Sequence, residues 1–142
     1  MSSYFRIMVS ADSLTSAHRS SKPNSAFFAP SGVETAASVD EHSPVYDMPA
    51  KELFETAVAL WAELSRVECM SVDIESLRAS FVARTAVLGF KDDVDIEVVP
   101  FGENTSGVIV FSRSRIGYSD LGTNRKRVAQ WLDLLSQNVK NA

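Results

Sequence analysis

The chain has 142 residues, of which 45% are hydrophobic and 23% charged, and it carries a formal net charge of −4. This length and composition predict a single soluble globular domain with its own hydrophobic core. The acidic balance argues against general nucleic-acid binding, which needs a basic surface, and the single cysteine, Cys69, excludes a disulfide within the chain.

No apolar run in the sequence is long enough to cross a membrane. The short apolar stretch near the start, from Ile7 to Val9, does not have the length of a signal-peptide core. Because a lone cysteine also fits a reducing compartment, we expect a cytoplasmic protein.

The first 48 residues form the least regular part of the sequence. Ser, Thr, Ala and Pro dominate it, and no sustained period of 2 or 3.6 residues appears. Its large apolar side chains are expected to pack on the body of the protein; these are Phe27, Phe28, Val33 and Tyr46. We predict an irregular segment over residues 1–48, partly packed on a domain that spans residues 49–142. Residues 1 to about 20 are expected to be dispensable for folding.

After residue 47 the pattern becomes periodic. Asp47 followed by Met48 and Pro49 is typical of a helix start, and apolar residues then recur at helical spacing to about Ser65. Four strands are predicted next, over residues 67–72, 80–87, 94–98 and 108–116. A final helix, capped by Ser119 or Asp120, carries apolar residues along one side.

The order helix, four strands, helix predicts an α+β fold. No crossover helices separate the strands, so we expect antiparallel pairing. The predicted architecture is a two-layer sandwich, with two helices on one face of an antiparallel sheet of about four strands. Trp61 and Trp131 lie on the apolar sides of the two helices and are expected to be buried.

The most distinctive part of the sequence is the charged stretch 112–127. Its arginines, aspartate, asparagine and glycines crowd the point where the last strand gives way to the final helix. On an extended strand Arg113 and Arg115 share one face, and Ser112 and Ser114 share the other. Two interpretations follow, a fixed network of ion pairs or a site for something anionic.

The structural interpretation is an internal charge network. Neighbouring segments supply Arg84 on one side and Asp92 and Asp93 on the other. A guanidinium group can hold a carboxylate through two hydrogen bonds. We therefore expect at least one arginine of the last strand to bind the carboxylate of Asp92, Asp93 or Asp120.

The functional interpretation is an anion site at the start of the final helix. Cations there are unfavourable unless an anion offsets them, because they lie near the positive end of the helix dipole. Free N–H groups in the first turn would point toward the same place. The residues predicted for this anion- or partner-binding site are Arg113, Arg115, Ser119, Asp120, Gly122, Asn124 and Arg127.

The charged stretch and a few upstream residues also carry a family resemblance. They are Pro23-Asn24, Gly89-Phe90, Asp92-Asp93, Arg113-Ser114-Arg115, Gly117, Ser119-Asp120, Gly122, Asn124 and Arg127. In these residues the chain resembles the family of uncharacterised proteins named domain of unknown function 1499, mainly over residues 50–137. The resemblance implies no established activity. Relatives commonly have a cysteine after the Pro-Asn pair, and here Ser25 replaces it, so any redox, metal or lipid chemistry of that cysteine is excluded.

The sequence contains no recognised catalytic arrangement, phosphate-binding loop or zinc-ligand spacing, so no metal or other cofactor is expected. The leading hypothesis is therefore a non-enzymatic binding or accessory protein whose partner the sequence does not identify, a small anion or an acidic molecule being one candidate. The alternative is a carrier of a lipid or other hydrophobic small molecule, because a sheet with two helices can enclose an apolar ligand. An enzyme acting on an anionic substrate ranks third.

Overall fold

The computed structural model describes residues 13–139. They form an α+β fold with two α-helices and a seven-stranded sheet. The strands are β1 (Ser25–Pro30), β2 (Glu41–Ser43), β3 (Val45–Tyr46), β4 (Val67–Asp73), β5 (Arg78–Arg84), β6 (Lys91–Gly102) and β7 (Thr105–Ser114). The helices are α1 (Ala50–Ala62) and α2 (Thr123–Asn138), and a short 3-10 turn covers Leu14–Ser16.

The sheet is antiparallel except at one edge. Its strand order is β2-β1-β7-β6-β5-β4, and β3 pairs with β7 off this path. β1 and β2 run parallel, whereas each of the other neighbouring pairs is antiparallel. The α+β class is confirmed, and the antiparallel sheet is confirmed for most of its strands. The predicted number of about four strands is too low.

The three additional strands lie within residues 1–48, which the sequence analysis predicted as irregular. β1 is buried along almost its whole length, so it lacks the alternation of apolar and polar residues that marks a half-exposed strand. β2 and β3 have only three and two residues. Their extended form depends on pairing with distant segments, since Val45 of β3 lies opposite Gly107 of β7. The division of the chain at residue 48 stays a prediction.

Both helices pack on one face of the sheet, as predicted. Trp61 of α1 and Trp131 of α2 are both buried, and their ring centroids lie 5.3 Å apart. Phe81 of β5 packs edge-on against each of them. The indole Nε1 of Trp61 donates a hydrogen bond to the carbonyl oxygen of Trp131 at 3.0 Å, which satisfies a buried donor. The two tryptophans therefore tie the helices to each other and to the sheet.

The opposite face of the sheet is covered by the N-terminal part of the chain. A smaller apolar cluster lies there, formed by Leu14, Phe27, Ala29, Ala37, Ile109 and Phe111. The carboxylate of Glu97 accepts hydrogen bonds from Leu14 N at 2.8 Å and Ser13 Oγ at 3.0 Å. Residues 13–17 are thus packed on the sheet, which argues against the expectation that residues up to about 20 are dispensable. Residues 1–12 of that segment lie outside the described residues.

Both helices begin later than predicted. Pro49, rather than Asp47, is the residue that precedes α1, and its extended backbone ends the loop before the helix. α2 follows Gly122, whose φ of 82° lies in the left-handed region that glycine adopts without steric cost. The chain therefore turns sharply between β7 and α2, and this turn contains three of the predicted site residues, Ser119, Asp120 and Gly122.

Candidate functional site

The charged stretch between β7 and α2 is divided between the two faces of the sheet. Because side chains alternate along a strand, Ser112 and Ser114 lie on the face that carries the helices, and Arg113 lies on the other. Strand β6 follows the same rule, with Asp92 opposite Ser114 and Asp93 opposite Arg113. The residues predicted to form one cluster therefore form two, which we call the helix-face cluster and the outer-face cluster.

Asn124, the second residue of α2, is the centre of the helix-face cluster. Its side chain is fully buried. Nδ2 donates to the carbonyl oxygen of Asn24 at 3.0 Å and to Ser114 Oγ at 2.9 Å. Oδ1 accepts from Ser112 Oγ at 2.6 Å and from Arg127 Nη1 at 2.9 Å. One amide thus connects the segment before β1, the end of β7 and the start of α2.

Asp120 closes the N-terminus of α2. Its carboxylate accepts hydrogen bonds from Gly122 N at 2.8 Å and from Asn124, through the backbone N at 3.2 Å and through Nδ2 at 2.7 Å. Its own backbone N donates to the carbonyl oxygen of Pro23 at 3.2 Å. The backbone N–H groups of Gly122 and Asn124 lie at the start of α2, where the sequence predicted free donors for an anion. An anion at this position would first have to displace the Asp120 carboxylate.

A buried ion pair completes the helix-face cluster. Arg127 Nη1 lies 2.8 Å from Asp92 Oδ2, and the two side chains are 11% and 3% exposed. The same nitrogen donates to Asn124, and within residues 13–139 no hydrogen bond is directed at Asp92 Oδ2. The contact between Asp92 and Arg127 is therefore chiefly one of charge, in surroundings from which water is largely excluded.

The outer-face cluster contains two more exposed ion pairs. Arg115 donates to both carboxylate oxygens of Asp93, from Nε at 3.0 Å and from Nη2 at 2.9 Å. These hydrogen bonds favour the charged guanidinium and raise the pKa of Arg115. Arg113 Nη2 lies 2.8 Å from Asp95 Oδ2, with side chains 36% and 25% exposed, and its guanidinium carbon lies 4.6 Å from the centre of the Phe111 ring. The expected contact of Arg113 or Arg115 with the carboxylate of Asp92, Asp93 or Asp120 is present between Arg115, which directly follows β7, and Asp93.

Two other predicted residues lie at the margins of these clusters. The Ser119 hydroxyl accepts a hydrogen bond from Leu121 N at 3.2 Å within the turn before α2. Arg84, predicted as part of the charge network, is exposed at the end of β5, and none of the ion pairs found in residues 13–139 includes it. The structure therefore brings together most of the predicted residues but leaves Arg84 outside the network.

A cleft of about 840 Å³ opens beside the helix-face cluster. Its walls come from α2, the adjoining ends of β5, β6 and β7, and the loops that follow α1, β5 and β7. Asp92, Ser114 and Arg127 supply part of its polar wall. Its large apolar lining residues are Leu64, Val67, Val87, Leu88, Phe90, Ile116, Leu121, Trp131 and Leu134.

Several of the apolar side chains that line the cleft are strongly exposed to solvent. Val87 is 92% exposed and Leu121 is 94% exposed, and Leu88, Phe90 and Ile116 are exposed as well. They lie on two loops, residues 85–90 after β5 and residues 115–122 after β7. We call these two loops the rim of the cleft. A contiguous exposed apolar patch is typical of a ligand groove or an interaction surface.

The remaining candidate residues are scattered over the fold. His18 and His42 are both exposed, and Cys69 on β4 is half-buried. Between residues 13 and 139 no group of three or more His, Cys, Asp or Glu side chains is placed to hold a metal ion. Neither helix in that range has the length and apolar character needed to cross a bilayer.

A family model described as protein of unknown function (DUF1499) matches residues 16–135. The chain belongs to the DUF1499 family. The match begins well before the region on which the sequence resemblance chiefly rested, and it includes the three strands that the sequence analysis missed. Among curated proteins, none matches this DUF1499 chain.

Solved structures with low sequence identity resemble the DUF1499 chain. The di-domain ARO/CYC protein BexL, from the BE-7585A biosynthetic pathway, aligns with a TM-score of 0.51 and 18% identity, over 68% of the DUF1499 chain and 44% of BexL. The DUF1499 chain thus spans less than half the length of BexL, and the likeness shows a shared fold alone. Ara h 8.0201 aligns with a TM-score of 0.49 and 8% identity, over 68% of this chain and 93% of its own. A protein from Thermobifida fusca aligns with a TM-score of 0.44 and 12% identity, over 67% and 83% of the two chains.

Sequence reasoning missed two parts of the site in this DUF1499 protein. Asn24 was noted only for the family resemblance, yet its carbonyl oxygen accepts from Ser114 N and Asn124 Nδ2, both at 3.0 Å. Its Nδ2 donates to the carbonyl oxygen of Gly117 at 2.8 Å. The cleft was missed altogether, because its lining comes from four stretches with no common pattern, residues 64–67, 83–92, 114–123 and 126–134.

Proposed function

We propose that the protein is a non-enzymatic binding protein that holds an apolar or amphipathic small molecule in the cleft beside α2. The observation that carries this proposal is the cleft itself. Its volume of about 840 Å³ falls within the range of about 300–1,000 Å³ that is usual for small-molecule sites. About half of its lining residues are apolar and the rest are polar or charged, so the cleft offers both an apolar surface and hydrogen-bonding groups to a ligand.

The rim supplies a driving force for binding an apolar molecule. Val87, Leu88 and Leu121 are exposed in the described structure and line the cleft. A ligand that covers them removes apolar surface from water, with a gain of about 25 cal/mol per Å². Trp131 and Leu134 of α2 add an apolar wall that is already formed, so little ordering is needed when a ligand binds.

The polar wall of the cleft favours an amphipathic ligand. Asp92 and Arg127 form a pair of no net charge, and Asn124 holds the Arg127 guanidinium in place. Ser114 and Thr123 lie on the same lining and carry hydroxyl groups. A ligand with one polar group can form hydrogen bonds here without reorganising the protein, while its apolar part contacts the rim.

This proposal takes up the alternative from the sequence analysis rather than the candidate ligand of its leading hypothesis, a small anion or acidic partner. Arg113, Arg115 and Arg127 each contact a carboxylate of the same chain, and Asp120 occupies the N-terminus of α2. These contacts lower the capacity of the arginine cluster for an external anion. The cytoplasmic location and the absence of a cofactor remain predictions.

The test is titration of the purified protein with Nile red, an uncharged apolar dye, together with native mass spectrometry for a retained ligand. Gln130 and Gln137 are both exposed on α2, but only Gln130 lines the cleft. We expect Gln130→Trp to obstruct part of the cleft and change dye affinity, and Gln137→Trp to bind the dye like the wild type.

A second matched pair probes the rim. Phe90 is 45% exposed and lines the cleft, whereas Phe101 is 43% exposed and lies at the far end of β6. Phe90→Ser should weaken dye binding about tenfold, because a phenyl ring contributes about 1.5–3 kcal/mol when it is fully covered. Phe101→Ser should leave the affinity for the dye unchanged. Absence of dye binding in the wild type, or equal binding by the two glutamine variants, would refute the proposal.

A further inference from the structure

The rim combines exposed apolar side chains from two loops that are distant in sequence. Six of the large apolar side chains that are exposed in the described part of the chain lie on these loops. They are Val87, Leu88, Phe90, Ile116, Tyr118 and Leu121. Protruding loops with such side chains suit insertion into a lipid surface, which accepts them without a matching pocket.

The backbone of Leu121 has a conformation that is unusual for leucine. Its φ is 53°, in the left-handed region that β-carbon-bearing residues other than Asn and Asp rarely adopt. Hydrogen bonds of the turn hold this backbone, from Leu121 N to Ser119 Oγ at 3.2 Å and from Thr123 N to the carbonyl oxygen of Asp120 at 3.0 Å. The side chain, however, is almost fully exposed and adds no packing within the fold. The turn thus holds an apolar side chain in water, where it is available for a contact outside the chain.

The residues that line the cleft carry a net positive charge, whereas the whole protein carries a net negative charge. Arg66, Arg84 and Lys126 are exposed residues of the cleft lining, and no ion pair found among residues 13–139 includes any of them. The acidic residues of the lining are Asp92, which pairs with Arg127, and Asp120, which caps α2. The cleft opening is therefore locally basic in a chain with a net charge of −4.

We propose that the rim is a docking surface for an anionic lipid bilayer. The apolar side chains of the two loops enter the interfacial layer, and Arg66, Arg84 and Lys126 face the lipid headgroups. The negative charge on the rest of the protein disfavours other orientations on the same surface. This inference goes beyond the proposed function, because docking requires no ligand in the cleft. Docking also places the opening of the cleft against the bilayer, so an apolar ligand can pass from the lipid into the cleft without crossing water.

The experiment is co-sedimentation of the full chain with vesicles of phosphatidylcholine alone or mixed with phosphatidylglycerol. We expect binding to the mixed vesicles only, and weaker binding as the salt concentration rises. Leu88→Ser and Leu121→Asn should each lower the affinity about tenfold, since each removes an inserted side chain. Lys126→Ala should lower it about fivefold, the effect of one basic side chain near the membrane surface.

The controls separate docking from folding and from ligand binding. Val72→Ser removes an apolar side chain that is exposed on β4, away from the rim, and should not change vesicle binding. Leu121→Asn should leave the melting temperature unchanged or raise it, because asparagine tolerates the left-handed backbone. Lost vesicle binding in a variant that is no less stable is the result expected of a docking residue.

The inference is overturned if the wild type does not bind the mixed vesicles, or if Leu88→Ser and Leu121→Asn bind them as the wild type does. It is also overturned if the wild type is a dimer that Leu121→Asn converts to a monomer, since a second copy would then cover the rim. Nile red binding without vesicle binding refutes docking and leaves the proposed function in place. Vesicle binding without Nile red binding refutes the proposed function and leaves the docking surface in place.

Discussion

The two faces of the sheet hold ion pairs of equal length in different surroundings. Asp92 and Arg127 on the helix face, and Asp95 and Arg113 on the outer face, each have an N–O distance of 2.8 Å. The first pair is almost fully buried, whereas a quarter to a third of each side chain in the second is exposed. Distance is therefore a poor measure of what each pair contributes, because solvent screens the second pair far more than the first.

The difference in burial also separates the roles of the two clusters. The helix-face cluster borders the cleft, and its members are held by several partners each, as Asn124 is. The outer-face cluster joins neighbouring strands, since Arg113 on β7 pairs with Asp95 on β6 and Arg115, just after β7, binds Asp93 on β6. We infer that a change in the first cluster alters both stability and the cleft, and that a change in the second is nearly silent.

The largest expected effect comes from removing one carboxylate on each face of β6. Asp92→Ala leaves the buried Arg127 without its partner and should lower the free energy of unfolding by about 3–5 kcal/mol. Asp95→Ala should lower it by only about 1 kcal/mol, because solvent can replace the lost partner of Arg113 and of the Ser80 hydroxyl, which also donates to Asp95. Urea denaturation of both variants measures the difference. Equal losses would show that burial does not distinguish the two faces.

The next effect concerns the buried amide that joins the helix-face cluster. Asn124→Ala leaves the buried hydroxyl of Ser112 without its acceptor and should cost about 2–3 kcal/mol, within the range of about 1–3 kcal/mol for each buried group left unpaired. Asn138 is the matched control on α2, since its side chain is exposed and bonds only Leu134 O among residues 13–139. Asn138→Ala should be neutral in the same denaturation assay. A neutral Asn124→Ala would mean that water or Arg127 replaces the amide.

The separation of the two faces could be predicted in part from the sequence. Alternation along the predicted strand 108–116 placed Arg113 and Arg115 on one face, and in the structure both contact carboxylates of the outer-face cluster although β7 ends at Ser114. The strand predicted over residues 94–98 did not include Asp92 and Asp93, because the alternating pattern is clear only from Val94 onward. They lie instead within β6, which starts at Lys91, so they face opposite sides and belong to different clusters.

The helices and the four strands between them followed from hydrophobic periodicity, which reflects contacts made on one side of an element. Periodicity gave no information on β1, because this strand is covered on both faces. The cleft and its rim were equally hidden, since they arise where loops distant in sequence meet. A local pattern indicates which side of an element is buried but not which distant segment covers it.

The smallest expected effect tests how firmly the N-terminal residues cover the outer face. Leu14 is buried in the smaller apolar cluster, beside the hydrogen bonds from residues 13 and 14 to Glu97. Leu14→Ala should lower the free energy of unfolding by about 2 kcal/mol, the low end for a buried leucine, because a thin covering layer can relax into the space. Leu88→Ala, at an exposed position of the rim, serves as the control and should not change stability. If urea denaturation gave the same midpoint for Leu14→Ala and the wild type, residues near the N-terminus would not contribute to the fold, and the expectation that they are dispensable would hold after all.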